Sequence, residues 1–95
     1  MALQAMPDEG SGGVREVSLE SNLESVDRGE AMALASARHM GFDAEAIQDV
    51  GIAVRECLVN AVVHGNRYNA RKKVGLRIVE GPEKLEIEIT DEGGG

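Results

Sequence analysis

Toward the end of the chain, Leu85, Ile87 and Ile89 alternate with Glu86, Glu88 and Thr90. A period of two marks a strand with one face on a core and the other in water. Strands are predicted at 74–80 and 84–90, joined as a hairpin around Glu80-Gly81-Pro82-Glu83, where the fixed φ of Pro82 suits a turn. Val17 and Leu19 predict an earlier strand at 14–20.

Between these strands the period becomes helical. With Ile47 set at zero, Val50, Val54, Leu58 and Ala61 fall within about 60° of it and form a core stripe. Asp43 is the predicted N-cap of this helix, Phe42 and Ile47 form a hydrophobic staple, and Gly65 stops it. An earlier helix rich in Ala and Met is predicted at 24–40, opened by the capping box Ser21-Asn22-Leu23-Glu24 and ended by Gly41. Its Met32 and Met40 read as core packing, and 66–73 reads as a polar loop. The order strand, helix, helix, strand, strand predicts an α+β fold, a two-layer α/β sandwich with helices on one face of a sheet. Residues 1–13, with Pro7, Asp8, Glu9 and Gly10-Ser11-Gly12-Gly13, read as a disordered tail ahead of one domain at 14–95.

The second helix carries an exception to its apolar character. Between Val50 and His64 the strongly polar side chains are Arg55, Glu56, Asn60 and His64. At about 100° per residue, Glu56, Asn60 and His64 drift only about 40° per step and line one side. A face turned to solvent would explain a carboxylate there, but Ile52, Val59 and Val63 fall beside Glu56. A helix apolar nearly all round is covered on both sides or lines a pocket, so Glu56 and Asn60 are expected on a mostly buried element, with a partner or a task. A second exception ends the sheet. In the register of Leu85, Ile87 and Ile89, Asp91 points inward, and the following Gly93 and Gly95 let a flat ligand approach without Cβ clashes. Taken alone, an ordinary Asp-Glu-Gly turn would explain this segment.

Together, Glu-x-x-x-Asn-Ala-x-x-His-Gly on a helix and Asp-x-Gly-x-Gly after a strand resemble the ATP-binding superfamily of gyrase, heat-shock chaperones, histidine kinases and mismatch-repair ATPases. Within it the chain looks most like the small anti-sigma-factor serine/threonine kinases of bacteria. The histidine-kinase branch usually has Asn where Glu56 stands, and a basic-aromatic pair where His64 and Gly65 stand. The resemblance covers about 15–95, and the family's sandwich is the fold already expected. It implies that Asn60 binds Mg²⁺ through its side-chain oxygen, a hard ligand suited to an ion held by triphosphate oxygens. It implies that Glu56 is the general base, that Asp91 accepts from the adenine amine, and that Gly93 and Gly95 let the backbone pass close to the base. His64 and Gly65 match the end of the helix motif and join the ATP-binding set; His64 also suits a helix C-terminus electrostatically.

ATP and Mg²⁺ are therefore the implied cofactors. A sigma factor and an anti-anti-sigma antagonist protein, phosphorylated on serine or threonine, are the implied partners. Two other readings stay open: a non-catalytic module that binds a sigma factor or antagonist, with Arg28 and the acidic surface as contacts, and the ATP-binding part of a sensor histidine kinase. The sequence given ends at Gly95, inside the second motif, where relatives continue into a phosphate-covering loop and further strands. The expectation is an incomplete sandwich with weak nucleotide affinity and an exposed edge that admits a homodimer.

Composition narrows the surroundings. A formal charge of -7 argues against a nucleic-acid surface. Arg67, Arg71, Lys72 and Lys73 cluster after the helix and read first as a solvated loop, with triphosphate steering as the lesser reading. Cys57 is the single cysteine, so no internal disulfide forms and the usual zinc site is excluded. With no apolar run near the roughly 20 residues that span a bilayer and no signal-peptide pattern, a cytoplasmic, non-membrane protein is expected. The aromatics are Phe42 and Tyr68 alone, which leaves a small aliphatic core.

Overall fold

The structure, a computed structural model, describes residues 13–93. Its elements are β1 (Val14–Glu20), α1 (Leu23–His39), α2 (Ala44–Val59), a π-helical continuation of α2 (Asn60–Gly65), β2 (Lys73–Glu80) and β3 (Leu85–Thr90). The strands form one antiparallel sheet in the order β1-β2-β3. Most of the tail expected at 1–13 lies outside the described residues, but the Gly13 carbonyl already accepts from the Glu80 N–H at 2.8 Å.

The alternation read from the sequence sets which face of the sheet is covered. Val17 pairs with Leu76 and Leu76 with Ile89, while Ile78 pairs with Ile87. Leu76 and Ile78, on the central strand, are fully buried. Glu16, Arg77 and Glu88 occupy the intervening outward row, where the Arg77 guanidinium meets Glu16 at 2.9 Å. The hairpin closes through Gly81, whose N–H donates to the Lys84 carbonyl at 2.9 Å.

Both helices cover the inward face. Leu19, Val26, Ala33, Leu58, Val62, Val74, Leu76 and Ile78 make one core, and each fully buried Leu or Ile contributes about 1.5–3 kcal/mol by leaving water. Small residues let the layers come close. A Cβ on Gly29 would stand 2.6 Å from Leu58 Cδ1, and one on Gly51 would stand 3.1 Å from Leu34 Cδ2. Pairing Gly29 with Leu58 and Gly51 with Leu34 is the reversed order of two antiparallel helices.

The connection between them is built from two caps. Gly41 at φ 83° allows the N–H groups of Gly41 and Phe42 to reach the carbonyls of Arg38 and Ala37, a Schellman ending. Asp43 then accepts from the Ala46 N–H at 2.8 Å and starts α2 as expected. The first cap differs from expectation. Asn22, not Ser21, accepts from the Ser25 N–H at 2.9 Å, because the Ser21 hydroxyl turns inward and donates to the Lys72 carbonyl. None of the described helices is long and apolar enough to cross a membrane.

One charged cluster lies where α1 ends against the sheet. Glu80 meets His39 Nδ1 at 2.7 Å, while Arg15 donates to Ser36 Oγ at 2.6 Å and to the Met32 carbonyl at 3.2 Å. Burial pushes the Glu80 carboxyl up, but hydrogen bonds from His39 and Ser36 and the charges of His39 and Arg15 outweigh it and hold it below its ordinary value of 4.5. A carboxyl depressed in the folded state stabilises the fold above its ordinary value and loses that contribution as pH falls through its folded value. Glu80→Gln should therefore be less stable than wild type at neutral pH, with the gap closing below pH 4.5. Thermal melts across that range check this, and a gap independent of pH would contradict it.

Candidate functional site

The end of α2 is wound more widely than an α-helix. Past Val59 the backbone turns with i→i−5 bonding, and the Asn66 N–H reaches the Ala61 carbonyl at 2.8 Å. The wider winding advances each residue by a smaller angle. The step from Asn60 to His64 thus falls short of the α-helical advance and offsets the drift of the Glu56, Asn60, His64 row. All three side chains are exposed on this row. The chain then reverses through Arg67 and Tyr68, both non-glycine residues in the left-handed region at φ 53° and 58°. Each such conformation costs about 1–3 kcal/mol and persists only where its surroundings impose it. Here the Tyr68 N–H is held by the Val62 carbonyl at 2.9 Å, and Asn66 is buried.

Beyond β3, Asp91 folds back on its own chain. Its Oδ1 accepts from the Gly93 N–H at 3.0 Å. The same carboxylate lies against Gly65, where any Cβ would collide with it, and a Cβ on Gly93 would collide with the Gly65 carbonyl. The helix motif and the strand motif therefore meet, 26 residues apart in sequence, at Gly65, Asp91 and Gly93. Gly65 is needed for that approach, since it does not adopt positive φ. The helix ends at Gly65 as expected, but the reversal that follows is made by the left-handed pair Arg67 and Tyr68 and not by a left-handed glycine.

Asn66, expected in a polar loop, is a buried junction. It is 2% exposed, its amide nitrogen donates to Ser21 Oγ at 2.8 Å and to the Lys73 carbonyl at 2.9 Å, and its oxygen accepts from the Glu92 N–H at 2.8 Å. One side chain thus joins the end of β1, the start of β2 and the segment after β3. The rest of the loop is as expected for Arg67 and Arg71, which are exposed; Lys73 belongs to β2.

Two expectations about burial are corrected. Glu56, Cys57, Asn60 and His64 are exposed, and so is Ile52 at 57%, because α1 and the sheet take only one side of α2 and nothing among the described residues covers the other. Asp91 continues the helix-facing side of β3 but is itself exposed, since the strand has ended and the helix end beside it is backbone and glycine. Gly95 lies outside the described residues.

Among the described residues no cluster of three or more His, Cys, Asp or Glu side chains could hold a metal unaided. The donor set fits an ion brought in by phosphate. Mg²⁺ retains water and takes few protein ligands, and Asn60 offers one exposed hard oxygen, with Glu56 one turn away. A broad concavity bounded by Glu16, Ser18, Arg28, Arg77 and Thr90 lies against the outward face of the sheet and includes neither Glu56 nor Asn60.

Residues 19–95 match the family described as the histidine kinase-like ATPase domain. The chain is 35% identical over 57 residues to the serine-protein kinase RsbW of Bacillus subtilis strain 168, covering 60% of this chain and 36% of that protein. It is 30% identical over 77 residues to the serine-protein kinase RsbW of Listeria monocytogenes serovar 1/2a, covering 81% of this chain and 49% of that one. The chain spans half or less of the length of these curated relatives.

The close approach at Gly65 can be tested without any ligand. Gly65→Ala places a methyl group where the Asp91 carboxylate lies. The carboxylate is exposed and can swing away, so stability should fall by only about 1 kcal/mol, the low end of overpacking. The amide resonances of Asp91, Glu92 and Gly93 should nevertheless shift strongly. Unaltered resonances there would contradict the contact.

Proposed function

The chain belongs to the family of histidine kinase-like ATPase domains, and from that premise we propose that it binds Mg·ATP at the helix end and phosphorylates a serine or threonine of a partner protein. The carrying observation is the junction of Gly65 with Asp91 and Gly93, which joins the two motifs into one open corner. The similarity to serine-protein kinases supports a protein hydroxyl as acceptor. The family resemblance extends the reading to an anti-sigma regulator, with a sigma factor and its antagonist as partners.

Each residue has a distinct task in this reading. Asp91 accepts a hydrogen bond from the exocyclic amine of adenine; guanine presents a carbonyl at that position, and the two oxygens would repel. The glycine-lined junction leaves room for the flat base. Asn60 would supply its side-chain oxygen to Mg²⁺ arriving with the triphosphate, and so held the ion would neutralise charge on the phosphate oxygens. Glu56, one turn away, orients the attacking hydroxyl and takes its proton as oxygen bonds to the γ-phosphorus and the bond to ADP breaks. Phosphoryl transfer rests mainly on positioning and electrostatic stabilisation, so a single base aimed at the nucleophile and a single metal ligand suffice for this part of the site. His64 and Gly65 close the helix side of the nucleotide.

The tasks separate in binding and turnover. In the full-length protein, Asn60→Ala should abolish Mg·ATP binding, whereas Glu56→Gln should bind normally and lose phosphoryl transfer. Isothermal titration and transfer of labelled phosphate to a seryl substrate measure the two. Unchanged turnover in Glu56→Gln would remove Glu56 as the base. Asp91→Asn should weaken ATP binding by roughly ten- to a hundredfold, the range for a hydrogen bond to a charged group. Equal affinity of the wild-type protein for GTP would rule out this role for Asp91.

A further inference from the structure

We propose that Asn66 is the positioning residue for base selection, holding the peptide between Asp91 and Glu92 so that the Asp91 carboxylate stays at the adenine edge. This rests on the nucleotide reading above and adds a residue that touches no ligand. The hydrogen bonds around Asn66 form a directed chain. Ser21 Oγ donates its proton to the Lys72 carbonyl, so it can only accept from the Asn66 amide nitrogen. The second amide proton goes to the Lys73 carbonyl, which leaves the Asn66 oxygen to face the Glu92 N–H. The side chain is spent in one orientation; its bond to Ser21 is buried, and those to Lys73 and Glu92 are partly shielded from water.

The consequence lies at Glu92. Its N–H belongs to the peptide plane that starts at Asp91, so the 2.8 Å bond to Asn66 fixes the backbone dihedral that aims Asp91. The Gly93 N–H bond to Asp91 Oδ1 and the contact with Gly65 then complete the placement. Without Asn66, Asp91 and Glu92 are an exposed pair at the end of β3. A hydrogen bond weakens steeply as its angle departs from linear, so a carboxylate swung off the adenine edge loses its selectivity. Discrimination between adenine and guanine should therefore depend on Asn66 more steeply than stability does.

Ser21→Ala is the matched control, because it removes a buried hydroxyl from the same cluster and leaves the Asn66 to Glu92 bond intact. In the full-length protein, Asn66→Ala should speed hydrogen exchange of the Glu92 amide at least tenfold and lower the ATP-to-GTP affinity ratio at least tenfold. Ser21→Ala, at a comparable loss of thermal stability, should leave both near wild type. If Asn66→Ala does not fold, the wild-type protein still carries the test: its Glu92 amide should exchange at least tenfold more slowly than in an unfolded chain, because of the bond to Asn66. Exchange of the Glu92 amide in the wild-type protein as fast as in an unfolded chain would overturn the proposal. So would equal changes in Asn66→Ala and Ser21→Ala, which would mark a merely structural residue. Asn66-dependent protection of Glu92 in a wild-type protein that binds neither nucleotide would uphold the positioning and overturn the nucleotide reading.

Discussion

The corner where the helix end, β3 and the segment after it come together exists because two backbones approach with no Cβ between them. Gly65 and Gly93 face each other directly, and Asp91 lies over the Gly65 Cα. A side chain at Gly93 would meet the Gly65 backbone and push the segment after β3 away from the helix end, whereas one at Gly65 would displace the Asp91 carboxylate. The wider π-turn at Asn60–Gly65, the left-handed pair Arg67 and Tyr68, and the inward side chain of Asn66 all serve to bring the chain to this approach and out of it again. The backbone strain at Arg67 and Tyr68 is tolerable because the buried Asn66 next to them satisfies three polar groups at once.

The core stripe and the polar row occupy opposite sides of the same helix. The stripe through Val54, Leu58 and Ala61 supplies the core. The opposite row, Glu56, Asn60 and His64, stays in water beside an exposed Ile52. An exposed carboxylate and amide on a rigid helix keep their hydrogen-bonding capacity for a ligand, and a face with an apolar residue among them suits a partner that brings its own cover. At the far end of the sheet, Arg15, Ser36, His39 and Glu80 form an ion cluster that ties β1 and β2 to α1 and has no connection to the site.

Most of the fold was legible because each element carries its own local signal. Alternation at Leu85, Ile87 and Ile89, the caps at Gly41 and Asp43, and the turn at Gly81 and Pro82 placed strands and helices within a residue or two. The two motifs named the corner, and the structure brings Gly65, Asp91 and Gly93 together there. What the sequence concealed was long-range. Ser21 looks like a cap and Asn66 like a loop residue, because nothing local says that their partners are 51 and 26 residues away. The burial of Glu56 was overread, since an apolar neighbour such as Ile52 predicts cover only if some element is there to supply it. The π-turn leaves no mark in hydrophobic period, although an Asn-Ala-Val-Val-His-Gly run ending against a strand mouth is where such a turn can bring backbone to ligand.

The central claim is that the joined corner is the nucleotide site. The most direct measurement is a ¹⁵N-resolved NMR titration of the protein with a non-hydrolysable Mg·ATP analogue. Saturable shifts concentrated at Asn60, Gly65, Asn66 and Asp91 through Gly93, with Glu16, Arg77 and Glu88 on the outward sheet face unmoved, are the predicted result. Shifts confined to that outward face, or none at millimolar analogue, would contradict the account.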